Sequence, residues 1–317
     1  MTTPYVTPSM IKNLAPFGID WTSVPITGAA ANLNTAALYD LCLAASGAID
    51  TYCNMPLRAT CDVETLDGPD FRLTVRGSTG IGVFETQHWP VIEPLGARMT
   101  AAGAFPRTWH QIPPGALDVG EGSTQFVGGS SLPSGAGDGM NQILIAPGYI
   151  DWINGRWGYT VQVAYNNGWP VAGVDETVAV GATTVHVDDV TGFAGTRPMI
   201  WDAGNSETVR VTSITADSPV EVLPTVTAQI GPGTLTLAAP TKFAHAGTTP
   251  ASVQVSAMPD VVRWAGYFYA AAEGMQRGST QIAMPVIPGG QMQTVKPTVG
   301  SFIGLAQQML FPLRRVV

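Results

Sequence analysis

The chain has 317 residues and a formal net charge of −8, and only 12% of its residues are charged. A chain of this length is expected to form about two domains of roughly 100–200 residues each. The acidic, charge-poor composition excludes the basic surface that a protein needs to grip nucleic acid. The three cysteines form no CxxC pair, so neither a disulfide framework nor a zinc site is expected.

Two helices are predicted at the start of the chain. A short helix over 8–14 is expected to end before Pro16 and Gly18. The second helix, over 35–53, has apolar residues at three- and four-residue spacing, and Asn34 or Thr35 can cap its N-terminus. The core face predicted for this helix consists of Leu38, Leu41, Ala45, Ile49 and Tyr52.

Strands are predicted next, because apolar and polar residues alternate in a series of short segments. These segments span 59–68, 71–76, 82–85, 96–101, 142–146 and 159–165. Residues 120–140 are rich in Gly and Ser and interrupt the series as a long predicted loop. The composition of this loop does not decide between an ordered functional loop and a disordered one.

Residues 171–257 have a different composition from the segments on either side. Short runs of Val alternating with Thr are separated by Gly, Pro and Asp. Closely spaced short strands of this kind are typical of a small β-barrel or β-sandwich. We interpret 171–257 as an all-β domain that is inserted into a host domain formed by 1–170 and 258–278.

The host domain is predicted to resume with a helix from Asp260 to about Arg277, capped by Asp260 and ended by Gly278. Its predicted core face consists of Val261, Ala265, Phe268 and Ala272. Residues 279–317 are predicted to form an extended C-terminal arm that ends in a short helix, which Pro312 interrupts. A terminal helix folded back onto its own domain is the alternative.

The residues that usually carry chemistry form no recognisable constellation in the sequence. The four histidines, His88, His110, His186 and His245, are scattered, and none has a second ligand at metal-binding spacing. A GxSxG nucleophile elbow is also absent. The sequence therefore predicts no enzyme, no catalytic residue, no cofactor and no metal. An acidic pair that only the fold brings together is the enzymatic alternative.

Four short phrases follow one another in the chain. They are Tyr52-x-x-x-Pro56-Leu57, the acidic turn Leu66-Asp67-Gly68-Pro69, Val163-x-Tyr165-x-x-Gly168 and Pro259-x-x-Val262-x-x-Ala265. In this order they resemble the head–tail connector (adaptor) proteins of long-tailed bacteriophages. In ordinary members of that family the third phrase leads almost directly into the fourth, whereas here 171–257 stands between them. The resemblance covers roughly 8–58 and 155–278.

Together with the composition of 171–257, the resemblance predicts an α+β fold: a small helical connector domain with β-strands, an inserted all-β domain and a C-terminal arm. It implies a virion structural protein at the neck, made in the host cytoplasm, that forms a cyclic ring of about twelve copies beneath the portal. The ring would join the portal to a stopper or tail-completion protein, and it would line a channel through which DNA passes without specific binding. The capsid is a further possible partner of the β-domain, and no membrane is involved.

The family also implies that the C-terminal arm grips the portal, with apolar anchors and flanking charge. In this sequence the matching residues are Phe302, Leu305, Met309, Leu310, Phe311, Arg314 and Arg315.

Two other functions remain open from the sequence. The first is another neck protein, such as a stopper or tail-completion protein. The second belongs to a different class, a carbohydrate-binding or adhesion protein of the virion, for which Trp201 in the β-domain is the candidate sugar contact. The phage, its host and the residues that line the channel do not follow from the sequence.

Overall fold

A computed structural model describes residues 3–13, 31–67, 73–76, 80–101, 107–119, 141–147, 149, 159–202, 204–248, 251–276 and 299–314. Within these ranges the chain is a mixed α+β protein with four α-helices and several antiparallel sheets. The α+β class predicted from the sequence is therefore confirmed. The predicted loop over 120–140 and the predicted extended segment over 279–297 lie outside the described residues.

The four helices are α1 (Pro8–Asn13), α2 (Ala31–Cys53), α3 (Asp260–Gln276) and α4 (Val299–Leu310). A 3₁₀ turn, Phe311–Leu313, follows α4, so Pro312 ends the helix as expected. The predicted cap of α2 is wrong, because the helix begins at Ala31 and both Asn34 and Thr35 lie inside it.

One apolar cluster, here called the helical core, joins all four helices. Its members come from five stretches of the chain, which lie within 5–11, 38–57, 169–171, 258–272 and 302–313. The two ends of the described chain thus meet in one core.

Seventeen strands accompany the helices in the part of the chain that the structure describes. In chain order they are β1 (Thr60–Asp67), β2 (Leu73–Arg76), β3 (Ile81–Glu85), β4 (Val91–Ala101), β5 (His110–Ile112), β6 (Leu117–Val119), β7 (Gln142–Ile145), β8 (Tyr159–Asn167), β9 (Val171–Gly173), β10 (Thr184–Val187), β11 (Met199–Trp201), β12 (Glu207–Thr208), β13 (Val211–Ala216), β14 (Val220–Leu223), β15 (Val226–Ala228), β16 (Gly233–Leu237) and β17 (Gln254–Ser256).

The strands before residue 168 form two four-stranded sheets. Their orders are β1-β8-β4-β5 and β2-β3-β7-β6, and all pairs are antiparallel. The two sheets share an apolar core that includes Leu66, Phe84, Ile145 and Val163. On β1 the exposed and buried faces follow the period of two, since Val63 is 43% exposed and Leu66 is buried.

The strands between 171 and 256 form a second group, here called the β-unit (171–257). It contains the sheets β10-β16-β13 and β12-β11-β17-β9 and the hairpin β14-β15. The two sheets share one apolar cluster, the β core, whose buried members all lie between Ala172 and Val255. Within the described residues the sheets stay open and no barrel closes, so of the two architectures predicted, the closed barrel is not formed.

The two ends of the β-unit lie side by side. Val171 on β9 pairs with Ser256 on β17. Beyond this pair, the amide of Ala257 donates a hydrogen bond of 2.9 Å to the carbonyl of Pro170. The chain therefore leaves the end of β8 and returns next to it at the start of α3.

The β-unit also contacts the rest of the molecule away from its two ends, as two examples show. Leu223 and Val226 of the β14-β15 hairpin pack with Ala164 of β8, and the backbone of Gly96 on β4 lies directly beneath Val226. At the N-terminus, the side-chain amide of Gln254 donates a hydrogen bond of 2.5 Å from Nε2 to the carbonyl of Pro4. The β-unit is thus fixed to the host by more than its two ends.

Candidate functional site

The C-terminal helix α4 carries the residues that were expected to bind a partner, and the structure divides them into two groups. Phe302 and Leu310 are buried in the helical core, at 2% and 0% exposure. The Phe302 ring stacks on Phe268 of α3 with ring centroids 5.8 Å apart. The expectation that these two residues are free anchors on an arm is therefore wrong, because their own chain already covers them.

The spacing of residues along α4 explains this outcome. Phe302, Ala306 and Leu310 recur every four residues and form one stripe, and all three are buried against the helical core. Leu313 in the following turn extends the stripe. Leu305 lies off this stripe and is 43% exposed.

Three of the other five expected anchors are exposed, and we call them the α4 surface. They are Leu305 on α4, Phe311 in the turn that follows it, and Arg314 directly after that turn. Phe311 is 68% exposed, the largest exposure among the large apolar residues of the described chain. Arg314 is exposed, and its guanidinium carbon lies 5.5 Å from the centre of the Tyr52 ring on α2. Met309 is half-buried against the helical core, and Arg315 lies outside the described residues.

The predicted faces of the two long helices lie in the helical core or at its edge. Buried members are Leu38, Leu41, Ala45, Ile49, Ala265, Phe268 and Ala272, whereas Tyr52 and Val261 are half-buried at the edge. In contrast, Trp264 on α3 is 41% exposed. These helices therefore hold α4 in place and leave one indole at the surface.

A buried polar contact ties the N-terminus to the segment that follows α2. The Tyr5 hydroxyl donates a hydrogen bond of 2.5 Å to Asp50 Oδ1 and accepts bonds from the amides of Leu57 and Arg58 at 3.1 Å each. Burial raises the pKa of the Tyr5 phenol and also that of the Asp50 carboxyl. Tyr5 could not be singled out from the sequence, because this contact joins residues far apart in the chain.

The histidines of the β-unit lie between carboxylates. His245 is fully buried, and its ring nitrogens lie 3.1 Å from Asp202 Oδ2 and 3.1 Å from Glu207 Oε1. Glu207 also accepts hydrogen bonds from the backbone amides of Lys242 and Phe243, so its carboxylate stabilises the local fold. Among the residues that the structure describes, no three His, Cys, Asp or Glu side chains are arranged to hold a metal ion.

The paired acids of the β-unit also serve the backbone. Asp188 Oδ1 accepts a hydrogen bond of 2.7 Å from the amide of Gly173, and Asp189 Oδ1 accepts one of 2.9 Å from the amide of Thr191. The Asp189 contact stabilises a local turn, whereas the Asp188 contact joins β9 to the residue that follows β10. None of the helices in the described ranges is both long enough and apolar enough to cross a bilayer.

Comparison with family models, with curated protein sequences and with solved structures finds no match to this chain. The function must therefore be argued from its own residues.

Proposed function

We propose that this chain is a virion structural protein, a head-to-tail adaptor that joins the portal to a stopper or tail protein. The observation that carries the proposal is the α4 surface, where Leu305 on α4 and Phe311 in the following turn are 43% and 68% exposed, whereas Phe302 and Leu310 of the same segment are fixed in the core. Large apolar side chains held at a rigid surface are typical of protein–protein interfaces. The order of the four family phrases selects the adaptor class among structural proteins.

The portal-binding role now rests on fewer residues than the sequence indicated. Leu305 and Phe311 supply the apolar contact, and Arg314 supplies a charge beside it. Side chains on a helix and turn that are already fixed against the core lose little conformational entropy on binding, which favours affinity. In a cyclic ring every copy presents this face, so weak single contacts add up to strong binding.

The β-unit is proposed to be a domain inserted between β8 and α3. Its ends are joined by the Val171–Ser256 pair, and its apolar core is drawn from its own residues. Insertion at a point where the chain leaves and returns side by side costs little loop-closure entropy. Such a domain would contact a neighbouring copy, the capsid or a tail protein that joins the assembly later.

The remaining parts of the proposal concern the assembly. The ring would contain about twelve copies arranged around a channel with cyclic symmetry. The formal charge of −8 per copy favours free passage of DNA, because like charges repel phosphate. The location would be the neck of the virion, after synthesis in the host cytoplasm.

The proposal is tested by purifying the cognate portal protein with the full chain and with the double variant Leu305→Ser, Phe311→Ser. Truncation is unsuitable, because removal of 299–317 would also remove Phe302 and Leu310 from the core. The matched control is Val180→Ser, since Val180 is 65% exposed but belongs to the β-unit.

We expect the full chain and the control to bind the portal and the double variant to lose binding at least about tenfold, as expected for loss of central apolar contacts. Equal portal binding by the double variant would refute the role of the α4 surface. If the full chain itself does not bind the portal, the adaptor assignment is wrong, and a test against tail proteins then decides on the stopper function.

A further inference from the structure

A cavity of about 350 Å³ lies where the helices meet the β-unit. Residues of α1, α3 and the turn between β11 and β12 line it, including Trp201, Asp202, Ser206, Arg263 and Trp264. Its volume is at the lower end of the roughly 300–1,000 Å³ typical of small-molecule sites. The cavity therefore has room for about one ring-sized group rather than an extended chain.

The back wall of the cavity is rigid. The Arg263 guanidinium carbon lies 4.3 Å from the centre of the Trp201 ring, which closes one face of that indole. Arg263 also donates a hydrogen bond of 3.1 Å to the Met258 carbonyl and forms an ion pair with Asp260. Burial lowers the pKa of Arg263 to about 10, so the side chain is still charged at neutral pH.

Trp264 is the exposed aromatic group of the cavity. Its indole is 41% exposed, and it meets the ring of Tyr267 edge to face with centroids 6.3 Å apart. The Phe268 ring lies 6.5 Å away at an angle of 33°. These neighbours fix the orientation of the indole, so that it offers a preformed apolar platform at the cavity.

Polar groups are held next to this platform. The Asp202 carboxylate is oriented by His245, whose Nδ1 lies 3.1 Å from Oδ2. The Ser206 hydroxyl braces the Asp202 backbone, since it donates to the Asp202 carbonyl at 2.8 Å and accepts from the Asp202 amide at 3.1 Å. The charged groups of the lining are Asp202, Asp260 and Arg263, which sum to a formal charge of −1.

We infer that this cavity binds a neutral pyranose unit of a carbohydrate. A pyranose has one face of C–H groups that stacks on an indole, and its hydroxyl groups donate hydrogen bonds to carboxylates around the rim. The net negative charge disfavours anionic sugars, because a second negative charge would be placed beside Asp202. A purely apolar occupant is also disfavoured, since it would remove water from Asp202 without replacing its hydrogen bonds.

This inference does not rest on the proposed head-to-tail role, because the cavity and the α4 surface use different residues. It also differs from the sequence expectation, in which Trp201 was the sugar contact. One face of Trp201 is covered by Arg263, whereas Trp264 keeps the more exposed indole. The structure thus assigns the stacking role to Trp264 and the hydrogen-bonding role to Asp202.

The test is saturation-transfer NMR of the full chain with a mixture of neutral pyranosides, some of them N-acetylated, and separately with a uronic acid and a quaternary ammonium compound. Each compound that gives a signal is then titrated. The variants are Trp264→Ala, Trp264→Phe and Asp202→Asn, and circular dichroism confirms that each one folds. Trp109→Phe is the matched control, because its indole is stacked with Arg98 and is not part of the cavity lining.

We expect a pyranoside signal that Trp264→Ala weakens at least about tenfold and that Trp264→Phe largely restores, because a phenyl ring keeps the platform. Asp202→Asn should also weaken binding, whereas Trp109→Phe should not. The inference is overturned if no pyranoside gives a signal, or if Trp264→Ala and Asp202→Asn bind as well as the unaltered chain. It is equally overturned if an uronic acid or a quaternary ammonium binds better than every neutral sugar.

Discussion

The helical core and the β core of this chain differ in how their residues are distributed along the sequence. The β core is drawn entirely from residues between 172 and 255. The helical core combines five stretches that lie within 5–11, 38–57, 169–171, 258–272 and 302–313. A core built from one contiguous segment can form before the rest of the chain is complete, whereas a core built from both chain ends cannot.

This difference has a consequence for the C-terminal helix. Neither the N-terminal nor the C-terminal segment contributes a buried residue to the β core, so the β core does not depend on the ends of the chain. In the helical core, α4 contributes Phe302, Ala306 and Leu310, and the helix is a structural member of the domain. A partner can therefore use the exposed face of α4 only while the buried face stays in place.

The largest effect that would test this comparison is expected for Phe302→Ala. The side chain is 2% exposed and stacks on Phe268, so its loss leaves a cavity between α3 and α4. We expect unfolding by denaturant to show a loss of about 3–5 kcal/mol for the helical core. Hydrogen exchange measured by mass spectrometry should show reduced protection in α3 and α4 but little change in β10 and β16.

Leu305→Ala is the matched control for this variant, because Leu305 lies on the same helix but is 43% exposed. Its replacement should change the free energy of unfolding by less than about 1 kcal/mol. If both variants lose the same stability, or if Phe302→Ala weakens both cores equally, the two cores are not independent and the comparison fails.

The sequence predicted the long helices and most strands because their signals are local. Leu38, Leu41 and Ile49 recur at the period of a helix, and the valines of 171–257 alternate at the period of a strand. The hairpin β14-β15 was missed, because Pro224 and Thr225 interrupt its short alternating pattern. Thr225 has a φ of +71°, a conformation that threonine rarely adopts and that sequence patterns do not indicate.

The candidate sites were harder to predict than the elements that carry them. A helical period shows that α4 has an apolar stripe but does not show which surface covers that stripe. Phe302 and Leu310 were therefore assigned to a partner when α3 already buries them. Trp264 was not predicted because the sugar contact proposed for it depends on a cavity formed with the β11-β12 turn, which lies far away in the sequence.

A smaller effect is expected where the β-unit touches the host sheet. A Cβ added at Gly96 would lie 2.6 Å from Val226 Cγ2, which is too close for the two groups to coexist without movement. We expect Gly96→Ala to destabilise the protein by about 1–3 kcal/mol, as measured by denaturant unfolding. The cost should appear at the contact between the β14-β15 hairpin and β4.

The matched test is the double variant Gly96→Ala, Val226→Ala, because the second change removes the methyl groups that clash. The double variant should lose clearly less stability than the sum of the losses measured for the two single variants. Purely additive losses would mean that the cost of Gly96→Ala does not arise from the Val226 methyl groups, and the packing of the hairpin on β4 would then not help to fix the β-unit to the host.

The smallest effect concerns a surface contact inside the β-unit. The ring nitrogens of His186 lie 2.8 Å from Asp175 and 3.2 Å from Asp217. The hydrogen bond with Asp175 is the main cause that raises the pKa of His186 above its ordinary value of 6.5, and Asp217 adds to it. Because the folded state holds the proton more tightly, this contact stabilises the protein fully below pH 6.5 and loses its effect as the pH rises through the raised pKa.

We therefore expect His186→Gln to lower the urea midpoint most at about pH 5 and to have a shrinking effect towards about pH 9. Asp175→Asn should reproduce more of this pH-dependent drop in the urea midpoint than Asp217→Asn, because Asp175 is the closer and less exposed partner. If the difference in urea midpoint between the unaltered chain and His186→Gln grew with rising pH, it would have the wrong sign for a stabilised imidazolium. Hydrogen exchange should place the change in the β-unit, and an equal change in α3 would again argue against two separate cores.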